Sequence, residues 1–416
     1  MSVATELAKR MPMAGPISAS FSPLFPEERA LGPLLERAAA LISEGYRLGG
    51  QASPPLRESL AGLLRAMNSY YTNKIEGQQT LPADIERAVR SQFDADRERA
   101  RRQRLALAHM EAESTLESEW SGVVARDLFR SDRVVAMHAD LYGRRPETDR
   151  VTADAQVVVP GEYRTRPVSA GRHVAPPADH LAALMAAWGE TYSGLQGTER
   201  LVVGNACAHH RLAWVHPFID GNGRTARLHS HLVLFRLGLT NGLWSPMRGL
   251  ARAHEAYYAR LNNADLPRRN DLDGRGALSQ EELVAFASFF LDTCLDQVRF
   301  MSGMFALDAF RDRLADLLRQ LDARPWQVGT EKSVVKPEAT GALHYVALTG
   351  PMERGAFIAM TGLPARTARR VLSSLLDFGL LKAESRVGPV SFNVPLRSLR
   401  WLFPRLWPEA DDPEAP

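Results

Sequence analysis

Between His216 and Arg227 the chain reads HPFIDGNGRTAR: an imidazole, a carboxylate (Asp220), an asparagine (Asn222) between two glycines (Gly221 and Gly223), and two arginines three positions apart (Arg224 and Arg227). Gly221 and Gly223 can take backbone angles closed to residues with a Cβ, so the N–H groups of residues 221–224 can turn toward one point and form an anion nest. The nest opens a helix, whose first amides and dipole also favour negative charge. Arg224 and Arg227 fall on neighbouring positions of the first turn, where each guanidinium can fork onto phosphate oxygens. Asp220 offers a hard oxygen suited to Mg²⁺. His216 is the loop's one group able to take a proton near neutral pH. Alone, each feature reads as a turn or a solvated face. Their conjunction at one helix start points to phosphoryl or nucleotidyl chemistry.

The elements that must position this loop follow from pattern. An apolar helical stretch precedes it (201–215) and another follows it (228–239), giving helix, tight loop, helix. Helical patterning also covers 31–42 and 56–75, a helix start stands at Pro82, and helices resume at His180. The segment 157–174 is β-prone and broken by Pro and Gly, which predicts a short hairpin, the one place where strands are expected near the loop. Arg97 to Arg104 reads as a solvated helix face. Met1 to Phe25, rich in Pro, Ser and Ala, is expected to extend over the surface.

HPFIDGNGRTAR matches the Fic motif, HPFx(D/E)GNGRxxR, at every specified position, and the chain resembles the Fic family from about Pro26 to Met301. Pro160 to Thr165 (PGEYRT) is similar to the start of the family's flap, and Val174 to Leu181 to the lead-in of the next helix. His209 stands where many relatives carry a histidine, and Ala213 departs from a frequent Glu. The resemblance implies transfer of AMP from ATP to a Ser, Thr or Tyr hydroxyl of a protein, the chain itself included, with Mg²⁺ as cofactor. His216 would be the general base and Asp220 the metal ligand. Gly221, Asn222, Gly223 and Arg224 would hold phosphate, Arg227 would pair with the γ-phosphate, and Phe218 would anchor the loop. The flap residues Gly161, Glu162, Tyr163 and Arg164 would dock the target segment by main-chain pairing. Tyr257 or Tyr258 would lie near the nucleotide, Tyr257 being the chosen candidate.

Thr72 to Gly77 (TNKIEG) fits the family's inhibitory pattern (S/T)xxxE(G/N). Thr72 and Glu76 share a helix face at i, i+4, and Gly77 suits a left-handed helix end. In the family this Glu pairs with the second motif arginine, here Arg227, and takes the place of the γ-phosphate. Its position far upstream of the loop resembles the subclass with an N-terminal inhibitory helix.

Beyond a linker at 323–336, residues 337–408 read as a small unit: a helix over 338–348, a helix-turn-helix over 354–378, and a two-stranded wing from Gly379 to Val394. It resembles a winged helix whose second helix offers Arg366, Thr367, Arg369 and Arg370. Protein contact or regulation is preferred there, and DNA contact is the second choice. The expected organisation is 1–110 N-terminal helices with the inhibitory helix, 111–322 catalytic domain, 323–336 linker, 337–408 winged helix, 409–416 acidic tail. The fold class is mainly α: a Fic-type helical bundle with a hairpin flap, plus the winged helix.

The 416 residues suit two or three domains. An apolar content of 45% and a net charge of +3 read as an ordinary soluble protein with no demand for nucleic acid. Cys207 and Cys294 sit in apolar helical contexts and read as buried thiols in a reducing compartment. No signal peptide or membrane span is legible, so the expectation is cytoplasmic with no membrane partner; a homodimer is compatible. Asn270 to Gly276 resembles a calcium loop, but the alignment puts Arg269 and Gln280 where carboxylates belong, so calcium is rejected and Ser279 is read as a helix cap. Three further readings stay open: a DNA-binding regulator with the loop as nucleotide sensor, an enzyme using another nucleotide or phosphocholine, and an enzyme that removes AMP.

Overall fold

The structure is a computed structural model that describes residues 17–326 and 333–410. Parts of three expectations lie outside these residues: the N-terminal extension over 1–16, the linker over 327–332, and the acidic tail over 411–416. In chain order the helices are α1 Glu28–Gln51, α2 Pro54–Ile75, α3 Pro82–Val89, α4 Arg97–Glu119, α5 Ser131–Gly143, α6 Leu181–Ser193, α7 Thr198–Val215 and α8 Asn222–Arg236. There follow α9 Pro246–Arg252, α10 His254–Ala264, α11 Gln280–Met304, α12 Leu307–Ala323, α13 Thr340–Thr349, α14 Arg354–Met360, α15 Ala365–Asp377 and α16 Leu399–Leu402. The strands are β1 Ser169–Ala170, β2 His173–Val174, β3 Leu381–Lys382 and β4 Ser391–Phe392, paired β1–β2 and β3–β4, both antiparallel. The chain is therefore mainly helical with short hairpins. Among the described residues no helix is long and apolar enough to cross a membrane.

Two compact units interleave in sequence. One takes in the described residues of Met1–Leu41, Thr115–Leu237 and Arg252–Thr293; the other takes in those of Ile42–Ser114, Gly238–Ala251 and Cys294–Pro416. The divisions fall inside α1, α4, α9 and α11 and just after α8.

In the first unit α7 is buried on nearly every face from Leu201 to Val215, as befits a central helix. α8 packs along it, α6 covers its other side, and α5 lies on α8. The hairpin forms where expected, with Ser169 opposite Val174 and Ala170 opposite His173. The segment before α1 does not extend over the surface in its described part. Phe21 is fully buried and stacks on Trp214 with ring centroids 5.5 Å apart, while the Arg211 guanidinium donates to the Pro23 carbonyl at 2.9 and 3.0 Å. The aromatic residues among its prolines and serines have core area to bury, and that outweighs the loop-like composition. Ser279 caps α11 as expected: its hydroxyl accepts from Glu282 N–H and donates to Asp273, whose carboxylate also takes Glu281 N–H.

In the second unit Ser53 starts α2, accepting from Leu56 N–H with Pro54 at the first helical position. α2 packs against α13 and β4; the Ser53 and Ser59 hydroxyls donate to the carbonyls of Ala347 and Phe392. Helices α13, α14 and α15 are followed by the β3–β4 ribbon, and Met352 pairs with Val390 beside it. The Cys207 and Cys294 thiols are both buried and unpaired, and burial pushes the Cys207 thiol up to about 12.

Candidate active site

The loop between α7 and α8 is held from inside. His216 ends α7 in the left-handed region (φ 50°, ψ 58°), a conformation that costs about 1–3 kcal/mol for a residue with a Cβ and turns the chain sharply out of the helix. Its N–H donates to Leu212 O at 3.0 Å, and its carbonyl accepts from the Arg164 Nε–H at 2.8 Å. The His216 Nδ1 faces Ala213 O at 3.2 Å. A carbonyl only accepts, so Nδ1 carries a proton, and in the neutral ring Nε2 is then the basic nitrogen.

Asp220 collects donors. Its Oδ1 accepts from Gly221 N–H at 2.7 Å and Arg224 at 3.1 Å; its Oδ2 accepts from the Tyr142 hydroxyl at 2.7 Å and Arg224 at 3.1 Å. Burial alone would raise this carboxyl, but Arg224, Tyr142 and the Gly221 amide outweigh it and hold it down at about 2. The side chain is still 38% exposed. An ionised, reachable hard oxygen fits a divalent cation arriving with phosphates.

The remaining motif residues divide between scaffold and anion site. Gly221 has φ +83°, and a Cβ there would run into the Tyr142 ring. Asn222 spends its carboxamide on the loop, Oδ1 accepting from Phe218 N–H at 2.9 Å and Nδ2 donating to Phe218 O at 2.8 Å. Its side chain is thus a loop clamp, and what it offers an anion is its backbone amide. The first hydrogen bond of α8 runs from Thr225 N–H to Gly221 O at 2.9 Å, so the amides of Asn222, Gly223 and Arg224 precede the helix ladder. Arg224 and Arg227 are 2% and 1% exposed. The Phe218 ring is fully buried, as an anchor requires.

Two residues of α5 absent from the sequence reading complete the site. His138 stacks on Phe218 (centroids 3.8 Å, planes 5° apart) and on Tyr142 (4.5 Å). It takes Gly161 N–H on Nδ1 at 2.9 Å and so donates from Nε2 to Asp220 O at 3.1 Å. Burial pulls its pKa down to about 4, with the Arg224 charge adding to the fall. Tyr142 also takes a hydrogen bond from Arg224 at 2.9 Å, and burial pushes its hydroxyl far above the usual range, so it stays a neutral donor to Asp220. The one legible signal was an aromatic pair at i, i+4 on one helix face.

The flap residues are brought to the loop, in roles that differ among them. Gly161 (φ +80°) sits against α5 through His138 and Ala139. Arg164 is 4% exposed, and its guanidinium donates to the carbonyls of His216, Arg166 and Pro176 while its N–H donates to Pro217 O. It is a buried strut between flap and loop rather than an open docking group. Tyr163 packs against Phe218 with centroids 5.9 Å apart. Glu162 is exposed, and the strands of the hairpin are largely exposed. On β2, His173 is tied by Nε2 to Trp214 O at 2.7 Å and by Nδ1 to Asp265 at 3.1 Å.

Tyr257 is 2% exposed, its hydroxyl bonded to His209 Nε2 at 2.7 Å, with His209 Nδ1 on Ser230 at 2.8 Å. This is a core contact among Phe286 and Phe290, and the neighbouring Tyr258 is the exposed ring at 38%. A helix turn buries one of two adjacent aromatics, and the spacing to the motif could not say which.

In the second unit α2 ends as the TNKIEG pattern requires. Glu76 is the C-cap, Gly77 has φ +67°, and the N–H groups of Gly77 and Gln78 close back on Lys74 O and Asn73 O at 3.0 and 2.8 Å. Thr72 is buried and Glu76 half-buried. Glu409, expected to open an acidic tail, docks here instead. Its carboxylate pairs with Lys74 at 2.8 Å and accepts from the Tyr71 hydroxyl at 2.9 Å, and Trp407 packs on Tyr70 at 5.5 Å.

Residues 128–234 match the Fic/DOC family model. Over 90 residues the chain is 39% identical to the protein adenylyltransferase Fic of Drosophila grimshawi, covering 21% of this chain and 19% of that protein. Over 91 residues it is 40% identical to the protein adenylyltransferase Fic of Drosophila yakuba, covering 21% and 18%. The chain thus spans about a fifth of the length of the curated relatives it matches. In structure it resembles a Fic family protein from Desulfovibrio desulfuricans G20, with a TM-score of 0.50 at 18% identity, over 90% of this chain and 99% of that one. That likeness bears on the fold.

Proposed function

From the premise that this chain belongs to the Fic family, we propose that it is an autoinhibited protein adenylyltransferase. The reading is carried by the His216 imidazole: its Nδ1 proton is committed to Ala213 O, and its basic Nε2 stands in the same loop as the ionised Asp220. A nucleotide sensor needs no base, which is why the enzyme reading outranks the regulator. Adenylyltransferases are also what the Drosophila relatives are named.

His216 Nε2 takes the proton of a target Ser, Thr or Tyr hydroxyl as its oxygen attacks the α-phosphorus of ATP. The bond from that phosphorus to the bridging oxygen breaks, pyrophosphate leaves, and AMP stays on the target oxygen. The amides of Asn222, Gly223 and Arg224 and the N-terminus of α8 stabilise the charge on the α-phosphate. Asp220 would hold Mg²⁺, which neutralises phosphate charge when bound. Arg224 and Arg227 supply cationic contacts to the phosphates. The exposed hairpin receives the target chain by main-chain pairing, with Arg164 and His138 fixing its distance from His216.

By resemblance Glu76 would be the inhibitory residue that withholds Arg227 from the γ-phosphate, a reading supported by the closed helix end at Gly77. Incubation with ATP, UTP, GTP or CTP labelled at the α-phosphate tests both parts. Self-labelling from ATP by the parent should rise more than about tenfold in Glu76→Gly, equivalent to roughly 1.4 kcal/mol off the barrier. It should fall back when Arg227→Ala is added. A folded Glu76→Gly variant no more active than the parent with any of the four nucleotides sinks the autoinhibition. A parent that releases AMP from modified protein, and loses this with Glu76→Gly, would make Glu76 a catalytic group of the reverse reaction.

A further inference from the structure

We propose that the outer face of α15, together with the β3–β4 ribbon, is a binding surface for double-stranded DNA. On α15 the residues Ala368, Val371, Leu372 and Leu375 are buried, so the opposite face is turned outward. That face carries Arg366, Arg369, Arg370 and Ser373, all exposed, at the i, i+3, i+4, i+7 positions of one stripe. The ribbon turn adds an exposed Arg386. Among the described residues none of these four guanidiniums has an acidic partner or any other polar contact. Other exposed arginines of the same unit, such as Arg99 on Asp84 at 3.0 Å and Arg319 on Asp316 at 2.7 Å, do have an acidic partner.

The ribbon turn is held in place rather than left loose. Arg354 donates from Nε to Gly388 O at 2.9 Å, Gly388 N–H bonds Ser385 Oγ at 2.9 Å, and Met352 and Val390 exchange both backbone hydrogen bonds. A helix preceded by a tight turn and followed by a fixed ribbon can put the helix in a groove about 12 Å wide while the ribbon meets the backbone.

Charge and the absence of anchors decide the partner. Protein interfaces gain most from buried aromatic or aliphatic anchors; the exposed face of α15 has no large apolar side chain, Met360 (44% exposed) closes α14, and the ribbon turn offers the single aliphatic Val387 (82% exposed) beside Arg386. Unmatched guanidiniums suit phosphate oxygens and guanine edges. The deep, narrow major groove of an RNA duplex does not admit a helix, so the duplex is DNA.

The test uses the full chain and a fluorescent mixed-sequence DNA duplex, with anisotropy read at 50 and 200 mM salt. The parent should bind at 50 mM and weaken at 200 mM. In the triple variant Arg366→Ala, Arg369→Ala, Arg370→Ala the salt slope should fall by about three phosphate contacts, so that the parent loses about 40-fold more affinity than the variant across that range. The triple lysine variant should recover the slope, since phosphate accepts either cation. Circular dichroism matching the parent shows that the variants fold. No binding by the parent at 50 mM, an unchanged slope in the alanine variant, or no recovery with lysine overturns the proposal. So does a protein partner lost with the alanine variant when the parent binds no DNA.

Discussion

Two helices of this chain each begin with a pair of arginines at i, i+3: Arg224 and Arg227 on α8, Arg366 and Arg369 on α15. As sequence they are the same feature. In the structure they are opposites. The first pair is buried, and Arg224 is locked to Asp220 and Tyr142. The second is exposed and, among the described residues, has no acidic partner. A buried guanidinium is costly unless it is paired, and what distinguishes Arg224 from structural struts such as Arg164 and Arg211 is that its partner is a carboxylate, Asp220. An exposed guanidinium costs nothing to keep in water and gains energy only when a phosphate-rich surface arrives. Spacing does not separate the two pairs; burial and partners do, and they are what sets the proposed transfer site apart from the proposed binding face.

The largest expected effect breaks the comparison if it is wrong. His216→Ala should lower transfer by about 10²–10⁴, the usual contribution of a general base, while ATP affinity stays near that of the parent. DNA affinity should not move. Conversely, the triple alanine variant on α15 should keep self-labelling within about twofold, as exposed substitutions do. Labelling kinetics and DNA anisotropy on the same preparations read both halves. Transfer by a folded His216→Ala within about tenfold of the parent would remove the base assignment.

A smaller but sharper effect is expected at Asp220. Asn suits the same turn and can still accept from Gly221 N–H, but it has no charge for Arg224 or a metal. Asp220→Asn should therefore fall on the order of a hundredfold, about 2.7 kcal/mol of barrier, and lose its dependence on added Mg²⁺. Titrating Mg²⁺ against both proteins checks this, and near-normal activity in the variant would reduce Asp220 to a turn former.

How much of this was legible followed from how local the chemistry is. The loop was readable because base, carboxylate, nest and arginines lie within one short stretch, and the helix end at Gly77 because a Schellman closure needs only adjacent residues. The hairpin and the order of elements in 337–394 were readable from breakers and periodicity. What stayed hidden were long-range decisions: His138 and Tyr142 from α5, Arg164 as a strut, Phe21 inserting beside Trp214, and Glu409 docking on Lys74. None has a local pattern that separates it from an ordinary core or surface residue. Tyr257 and Tyr258 show the same limit at its narrowest, since a single helix turn decided which ring went inside.

His138 offers the finest test of the buried side of the comparison, because its cost can be read as a proton count. Both ring nitrogens are in use: Nδ1 accepts from Gly161 N–H, and Nε2–H donates to Asp220 O. A second proton would break the Gly161 bond and place a cation beside Arg224. Burial, with Arg224 adding to it and against the opposing pull of the Asp220 hydrogen bond and charge, holds the folded-state pKa at about 4, against about 6.5 when unfolded. Between these values the unfolded chain binds a proton that the folded chain refuses. The stabilising contribution is therefore complete above about pH 6.5 and is lost as the pH falls toward 4, at about 1.4 kcal/mol per pH unit. Other buried histidines, His229 among them, titrate in the same window, so only the difference between parent and variant isolates His138. His138→Gln keeps a polar side chain but removes this proton. Denaturant unfolding at pH 6.5 and 5.0 should show the parent losing about 2 kcal/mol more than the variant. An equal loss in both proteins would mean that His138 takes up its proton in the folded state at an ordinary pH, and that the link from flap to loop does not depend on a neutral ring.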